Sequence, residues 1–494
     1  MDAAAFARGV DEAALMLRAA GQLARGVLAE GGRGYGLRVG WLAGAGNNGG
    51  DGLAAAGLLA RRGVASHVCV LGGAGALRGV PALMRDRLAG TGVRLVDTPA
   101  AALAGADVVV DCLLGTGASG PLRPATAEAA GLLTAAPAPV VACDLPTGVD
   151  GHTGAVQPGA VQASRTVTLG AGKVGLWLAP ARGQTGRRVI ADLGLITPQD
   201  IPAAWVLEDA DAAAALPPPG TDAHKHSRGG VLLLAGAPGM AGAAVLAARG
   251  ALAGGAGLVT VATAASVRDT VAAAVPEALT VALPADPADA RSALAGPLAR
   301  ADALVIGPGL GRAATTDALA AGLLADVALP VVVDADGIGI LAEHPELQGA
   351  HASPARVLTP HAGEFARLAP GQDWTGRIDG GVRQAQAWGS TLVLKGPGTL
   401  TVTPGGTRWV NDSGSAALAT GGTGDVLAGL LGAALAADPT GPRTVPAVVH
   451  LHGRAGEHAA AAADPRTVTA GAVAAAVGPA LAGLRRRAAE RGTA

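Results

Sequence analysis

Short apolar runs alternate with longer alanine-rich segments along the first half of the chain. The runs at 38–43, 66–71, 93–96, 107–110 and 140–143 are predicted strands, and the segments at 51–62 and 81–89 are predicted helices. Valine-rich runs with helices between them predict a parallel sheet whose two faces are both covered by helices.

A second alternation begins at 231–235 and continues to the end of the chain. Further strands are predicted at 258–262, 304–306, 331–333, 357–359 and 391–394, and helices at 243–252, after Asp425, at 446–463 and after Thr469. Three consecutive prolines at 217–219 favour an extended connection. We therefore place the domain boundary within 205–228 and predict two α/β domains, 1–210 and 211–494.

Polar, glycine-rich loops follow the predicted strands of the first domain. Ligands of open α/β sheets bind beyond the carboxyl ends of the strands. The loop at 44–52 places Asn47, Asn48 and Asp51 there, with almost no side-chain bulk around them. It is either a tight turn or a binding loop, and the density of polar side chains favours binding.

Asp111 and Asp144 each follow a valine-rich strand in the same domain. Each carboxylate is either a helix cap or part of a site at this edge of the sheet. Thr116 and Thr147 lie in the adjoining loops, and with Asp144 they could supply the oxygen ligands that hard cations prefer.

The segment 421–429, Gly-Gly-Thr-Gly-Asp-Val-Leu-Ala-Gly, is the most informative stretch of the second domain. Backbone N–H groups at a helix start gather an anion, and Asp425 beside that anion could take a proton from an attacking hydroxyl group. This pattern is typical of phosphoryl transfer to an alcohol. His361 and Lys395 also follow strands; His361 is either structural or functional, and Lys395 begins a glycine-rich loop suited to a nucleotide.

The amino-acid composition narrows the range of possible functions further. Lysine occurs only at 173, 225 and 395, and asparagine only at 47, 48 and 411, which suggests positions where arginine or aspartate would not serve. The net charge of −1 and the aromatic content of 2% argue against a nucleic-acid partner. Because the sequence shows neither a long apolar span nor a secretory leader, we expect a cytoplasmic protein without membrane contact, with three reduced cysteines.

Taken together, these motifs resemble the bifunctional NAD(P)H-hydrate repair enzymes over nearly the whole chain. In that family a Rossmann-like epimerase domain, a three-layer sandwich, precedes a ribokinase-like dehydratase domain. The first domain matches at 47–51, 111–117 and 144–148, and the second at 239–244, 307–311, 334–337, 359–365, 395–399 and 421–429. One such motif is weak, but the ordered set across two domains is specific.

The resemblance implies roles for individual residues. In the epimerase site the hydrated nucleotides NADHX and NADPHX would be held by Asn47, Asn48, Gly49, Gly50, Asp51, Gly115, Thr116, Gly117, Ala118, Ser119 and Gly120, with Asp144 at the epimerised carbon. A potassium ion would be ligated by Asn48, Asp111 and Thr147, where the family usually has serine at the last position. In the dehydratase site Ala243, Gly309, Gly311, His361 and Asp425 would surround the hydrate, and Lys395, Gly396, Pro397, Gly398, Thr399 and Gly424 would bind the adenine nucleotide.

The family chemistry implies ADP as the phosphoryl donor, with magnesium, and AMP and phosphate as products. Asp425 would be the general base, and a homo-oligomer is expected. One departure is the segment 415–418, Ser-Ala-Ala-Leu, where the family usually has Asn-Pro-Gly-Met. Two alternatives stay open from the residues alone: a kinase of a small hydroxylated substrate with a regulatory first domain, and a non-catalytic nucleotide sensor.

Overall fold

The computed structural model describes residues 6–118, 120–195, 203–349 and 351–492. Two compact units divide between Pro202 and Ala203. Both are α/β units built on a largely parallel sheet. The three cysteines are buried and free. Across the residues that the structure describes, no helix combines the length and apolar character that crossing a membrane requires.

The first unit contains a parallel sheet with the strand order β3-β2-β1-β4-β5-β6-β7. Its strands are β1 (Arg38–Ala43), β2 (Ala65–Val70), β3 (Arg94–Leu95), β4 (Val108–Cys112), β5 (Val140–Cys143), β6 (Arg165–Leu169) and β7 (Arg187–Ala191). Its helices are α1 (Glu12–Gly31), α2 (Asn47–Ala60), α3 (Gly79–Asp86), α4 (Pro99–Leu103) and α5 (Pro124–Ala135).

Helices cover both faces of this first sheet. Successive side chains of a strand point to opposite faces, and in β1 Trp41 belongs to one buried cluster while the adjacent Leu42 belongs to another. The cluster around Trp41 includes residues of α1 and α2, and the cluster around Leu42 includes residues of α5. The unit is therefore a three-layer sandwich, as predicted.

The second sheet has the order β11-β10-β9-β12-β13-β14-β15-β16-β17-β8. Its strands are β8 (Ala204–Val206), β9 (Gly230–Leu234), β10 (Leu258–Ala264), β11 (Leu279–Leu283), β12 (Ala303–Ile306), β13 (Val331–Val333), β14 (Arg356–Leu358), β15 (Thr391–Leu394), β16 (Leu400–Val402) and β17 (Arg408–Val410). Strand β16 runs antiparallel to both of its neighbours, whereas the other pairs are parallel.

The helices of the second unit begin with α6 near the division between the units and end with α17. They are α6 (Asp209–Ala215), α7 (Ala241–Ala253), α8 (Arg268–Ala274), α9 (Pro287–Ala299), α10 (Ala314–Asp326), α11 (Asp336–Glu343), α12 (Glu346–Gly349), α13 (Ala362–Leu368), α14 (Arg377–Ala387), α15 (Thr423–Ala437), α16 (Thr444–Ala460) and α17 (Ala470–Gly492). Helices α7, α15, α16 and α17 contribute to one large buried cluster against the sheet.

The division between the units differs from the predicted boundary at residue 210. Strand β8 lies before that boundary but pairs with β17, with Trp205 opposite Trp409, so it belongs to the second sheet. Asp209 at the start of α6 also pairs with His450, 2.7 Å away, and with Arg454, 2.9 Å away. These long-range contacts assign 203–210 to the second unit; the three prolines mark a loop within it.

Candidate active sites

A cavity of about 1410 Å³ opens at the carboxyl edge of the first sheet. Its wall contains the predicted residues Asn47, Asn48, Asp51, Gly115, Thr116, Gly117, Ala118, Gly120 and Asp144. They come from the loops after β1, β4 and β5, so the topology brings together segments that are far apart in sequence. Ser119, predicted for the same site, lies outside the described residues.

Helix α2 begins at Asn47, four residues earlier than predicted, so both asparagines lie in its first turn. The Asn47 side chain donates to Glu12 of α1 at 3.3 Å, and that of Asn48 donates to the Leu114 carbonyl at 2.8 Å. No side chain of the described residues caps this helix start, so its N–H groups and positive dipole end are available at the cavity for an anionic ligand.

Gly49 and Gly50 lie in this helix but are absent from the cavity wall. A Cβ at Gly49 would lie 1.9 Å from the backbone oxygen of Gly44, and one at Gly50 would lie 2.8 Å from the end of the Met16 side chain. These glycines let α2 approach the end of β1 and pack on α1. Their observed contacts are thus structural, and the nucleotide contact predicted for them stays a prediction.

Asp111 and Thr147 form a buried polar cluster at the ends of β4 and β5. The Asp111 carboxylate accepts from the Thr147 backbone at 2.7 Å, the Thr147 hydroxyl at 2.8 Å and the Leu113 backbone at 3.1 Å. Burial raises the pKa of Asp111 to about 6 despite these hydrogen bonds. Among the described residues nothing donates a hydrogen bond to the buried Oδ1 of Asn48.

Asp144 lies at the rim of the cavity, directly after β5. Its side chain accepts from the Lys173 ammonium in a short ion pair and from the Leu169 backbone at 3.1 Å. Its backbone has φ of 66°, a conformation that residues other than glycine rarely adopt. Such strain is characteristic of functional sites.

The second site lies at the carboxyl edge of the second sheet, where Asp334 follows β13 and Lys395 follows β15. The Lys395 ammonium lies 2.6 Å from Oδ1 of Asp334, and the Thr359 hydroxyl donates to the same oxygen at 2.7 Å. Burial lowers the pKa of Lys395, but the charges of Asp334, Glu364 and Asp425 outweigh it and leave the pKa raised. Lys395 is therefore a fixed positive charge among carboxylates.

Asp425 lies in the first turn of α15, which begins after Gly422 with φ of 92°. A Cβ at the neighbouring Gly424 would lie 3.6 Å from the Lys395 ammonium, which places this helix start beside the ion pair. Burial raises the pKa of Asp425 to about 7, and Asp334 adds to the effect while Lys395 opposes it. A carboxylate with a pKa near the working pH is suited to general-base catalysis.

His361 caps α13. Its Nδ1 accepts from the backbone of Gly363 at 3.0 Å and of Glu364 at 3.3 Å, and the Glu364 carboxylate accepts in return from the His361 backbone at 2.8 Å. This reciprocal arrangement is a capping box. A backbone bridge pairs His361 with Lys395, so the histidine does lie at the predicted edge of the sheet. Its imidazole is 58% exposed there.

The remaining predicted residues of this site form two groups. Gly309, Gly311 and Ala243 make up the first, and the segment Lys395–Thr399 makes up the second. Gly309 approaches Ala243 so closely that a Cβ on the glycine would lie 2.7 Å from that of the alanine. Gly311 donates to the carboxylate of Asp336 at 2.8 Å. The segment Lys395–Thr399 forms the loop between β15 and β16, where the Thr399 hydroxyl donates to the carbonyl of Gly396 at 2.9 Å.

Comparison with known proteins identifies both units. Residues 231–477 match the family model described as NAD(P)H-hydrate dehydratase, and residues 12–175 match that of the YjeF-related protein N-terminus. A bifunctional NAD(P)H-hydrate repair enzyme of Mycobacterium tuberculosis is 42% identical over 86% of this chain and 85% of its own length. The chain belongs to the bifunctional NAD(P)H-hydrate repair enzymes.

Two further likenesses agree with this assignment. The repair enzyme of Gloeobacter violaceus is 38% identical, and the alignment covers 93% of this chain and 92% of that enzyme. A ribokinase-like superfamily protein from Enterococcus faecalis superposes with a TM-score of 0.52 and 26% identity, covering 59% of this chain and 98% of that protein. The first unit is accordingly the epimerase domain and the second the ribokinase-like dehydratase domain.

Two residues of these repair-enzyme sites were not predicted as site residues. Lys173 has no assigned role in the sequence prediction, and Asp334 enters it only as part of a family motif. The signal for Lys173 was its rarity, since two of the three lysines each pair with an aspartate at a strand end. Sequence spacing could not reveal these pairs because their members are 29 and 61 residues apart.

Proposed function

We propose that Asp425 is the general base of an ADP-dependent dehydration. It would remove the proton from the substrate hydroxyl as the hydroxyl oxygen attacks the β-phosphoryl group of ADP and releases AMP. The phosphate ester would then eliminate phosphate and a proton to restore the ring double bond. The N–H groups of 421–424 would stabilise the charge of the transferring phosphoryl group.

The observation that carries this proposal is the position of Asp425 between a helix start and the Lys395–Asp334 pair. The helix start supplies backbone donors for phosphate, and burial keeps the pKa of the carboxyl group at about 7. The surrounding carboxylates of Asp334 and Asp336 are ligands that Mg²⁺ prefers, so they would help to hold a nucleotide-bound magnesium ion. Lys395 and the loop to Thr399 would contact the adenine nucleotide.

In the epimerase domain, we propose that the cavity binds the nucleotide of NADHX or NADPHX. The start of α2 would meet its phosphates, the loop at 115–120 would lie along it, and Asp144 would contact the epimerised carbon. The dehydratase acts on one epimer of the hydrate, so this domain would supply that epimer from the other. The cavity is lined by both polar and apolar residues, and its volume of about 1410 Å³ accommodates a dinucleotide.

A potassium ion fits the buried cluster beneath this cavity. Within the described part of the chain, the Asn48 Oδ1 atom has no hydrogen-bond donor and the buried Asp111 carboxylate has no cationic side chain paired with it. An ion there would gain a carboxylate, an amide oxygen and the Thr147 hydroxyl as hard ligands. It would compensate the Asp111 charge and connect the start of α2, which carries Asn48, to the loop that carries Thr147.

One assay tests the dehydration and separates it from the kinase alternative. Both hydrate epimers are mixed with the protein and either ADP or ATP, and the absorbance of reduced nicotinamide is followed. Recovery of absorbance with release of AMP and phosphate from ADP supports the proposal. A stable phosphorylated product without recovery would contradict it. A cytoplasmic location and a homo-oligomeric state stay predictions.

A further inference from the structure

Lys173 lies at the wall of the epimerase cavity and contacts the residue proposed to act there. Its ammonium donates to Oδ1 of Asp144 and to the Leu169 carbonyl, the latter at 2.7 Å. The Leu169 backbone N–H also donates to Oδ1, at 3.1 Å. Both of these donors therefore hold the same oxygen of the Asp144 carboxylate, and Oδ2 is the oxygen left for substrate.

The backbone around this pair fixes the direction of both side chains. A hydrogen bond of 2.8 Å from Leu145 N to Cys143 O spans Asp144, which together with the φ of 66° forms a strained γ-turn. The stem of Lys173 packs against Gly151, where a Cβ would lie 3.2 Å from the lysine Cβ and Cγ. A strained aspartate and a confined lysine indicate an arrangement maintained for function.

The pair is largely buried but still reaches the cavity. Asp144 is 11% exposed and Lys173 is 20% exposed, and both line the cavity. A carboxylate in such a position is deprived of much of its hydration, and the adjacent ammonium supplies a charged hydrogen-bond donor in place of water. Ion pairs buried to this degree contribute little to folding stability on average, which favours a role in chemistry.

The substrate chemistry defines that role. Hydration of an enamine double bond places the hydroxyl on the carbon bonded to the ring nitrogen, so the damaged ring is a hemiaminal. Its configuration inverts when a base removes the hydroxyl proton, the carbon–oxygen bond becomes a carbonyl, and the carbon–nitrogen bond breaks with its electron pair on nitrogen. Rotation of the aldehyde, reattack by nitrogen and return of the proton give the other epimer.

We propose that Lys173 is a positioning residue for epimerisation, which holds Oδ1 of Asp144 and directs its Oδ2 to the substrate hydroxyl. The proton moves from that hydroxyl to Oδ2 during ring opening and returns to the oxygen on closure, so no further reactant is required. This inference rests on the proposed contact of Asp144 with the epimerised carbon. It adds the group that makes the carboxylate an effective base.

The test measures interconversion of purified hydrate epimers by chromatography without nucleotide, so that dehydration does not occur. Lys173→Ala is expected to lower kcat about 10²-fold, the lower range for loss of acid–base assistance, with KM little changed. Ethylammonium should restore part of kcat by occupying the vacated space and donating to Asp144. Tetramethylammonium carries the same charge but has no N–H donor, and it should not restore activity.

Two variants and one control accompany this measurement. Lys173→Met keeps the aliphatic stem and should be as slow as Lys173→Ala, whereas Lys173→Arg should retain more activity. Lys225→Ala removes the exposed lysine of the other unit and should leave epimerisation unchanged. Dehydration of the accepted epimer should be unchanged in every variant, and thermal unfolding shows whether the epimerase domain is folded.

The outcomes are distinct. Wild-type kcat in folded Lys173→Ala or Lys173→Met would overturn the inference. A loss that Lys173→Arg and ethylammonium both fail to restore would also overturn it, since it would identify the lysine as a structural tether. If Lys173→Ala is slow and rescued while Asp144→Asn is fully active, the role proposed for Asp144 fails, and this inference fails with it.

Discussion

The Lys395 ammonium and the Asp334 carboxylate form an ion pair of 2.6 Å at the edge of the second sheet, beside Asp425. The aspartate is 2% exposed and the lysine 21% exposed, so water screens the pair weakly. The negative charge of Asp334 disfavours ionisation of Asp425, and the positive charge of Lys395 favours it. Burial is the largest influence on the pKa of Asp425, and the charges of the pair adjust it further.

The first prediction concerns the pH dependence of dehydration. A general base acts in its ionised form, so kcat/KM should rise with pH and reach half its maximum near 7, the pKa to which burial raises Asp425. Below that pH the base is protonated and activity is lost. In Asp334→Asn one neighbouring negative charge is removed and Lys395 loses its partner; both changes lower the pKa of Asp425.

The acid limb of the Asp334→Asn profile should therefore lie at lower pH than that of the wild type. Rates measured from pH 5 to 9 at constant ionic strength check this displacement. Asp326→Asn is a suitable control, because Asp326 is 62% exposed and forms a surface salt bridge with Arg291. An acid limb that does not move in Asp334→Asn would show that the base lies elsewhere.

The second prediction is that Asp425→Asn abolishes dehydration selectively. The amide keeps the size of the carboxylate but cannot accept the hydroxyl proton, so kcat should fall about 10²- to 10⁴-fold. Epimerisation takes place in the other domain and should continue at the wild-type rate. Rapid dehydration by a folded Asp425→Asn protein would refute the base assignment.

The third prediction is that Asp144→Asn abolishes epimerisation selectively. This variant should dehydrate the accepted epimer normally but leave the other epimer unconverted, because the base for ring opening is missing. An equimolar mixture of Asp144→Asn and Asp425→Asn should clear both epimers, since each protein retains the activity that the other lacks. Clearance of both epimers by Asp144→Asn alone, beyond their spontaneous interconversion, would remove Asp144 from the mechanism.

Much of this architecture could be predicted from the pattern of apolar residues. The strands that were not predicted have identifiable physical causes. The strands at 38–43, 140–143, 331–333 and 391–394 were predicted with the observed bounds because each consists largely of an apolar run. Strands β6, β7, β8, β11, β16 and β17 were not predicted. Arg165–Leu169 contains two threonines and an arginine that are buried by tertiary contacts, and its Arg165 pairs with Glu30 at 2.8 Å.

For the two sites, local sequence features were again predictable, whereas contacts between distant segments were not. Glycine-rich loops at strand ends are a local signal, and they correctly marked the edges where Asn48, Asp144 and Lys395 lie. Which side chains pair across an edge depends on strand order, which the local pattern does not contain. Strand β14 lies between β13 and β15, yet Lys395 after β15 reaches Asp334 after β13.

The fourth prediction tests the potassium site through stability. Potassium chloride should raise the melting temperature of the epimerase domain above that in choline chloride at equal ionic strength, because an ion bound only by the folded state stabilises it. Asn48→Ala removes the buried amide oxygen that accepts no hydrogen bond from the described residues, and Asp111→Asn removes the buried charge. Both variants should lose the potassium-dependent increment, and an increment preserved in both would place the ion elsewhere.

The final prediction compares two glycines of helix α1. A Cβ at Gly26 would lie 2.5 Å from Cγ2 of Val167 in β6, whereas a Cβ at Gly21 would meet nothing within 4 Å. Gly26→Ala should destabilise the epimerase domain by about 1–3 kcal/mol, because the short valine side chain can yield only if the helix moves from the sheet. Gly21→Ala should stabilise it by about 0.5–1 kcal/mol through helix propensity. Chemical denaturation followed by circular dichroism measures both changes, and equal effects of the two substitutions would contradict the packing of α1 against β6.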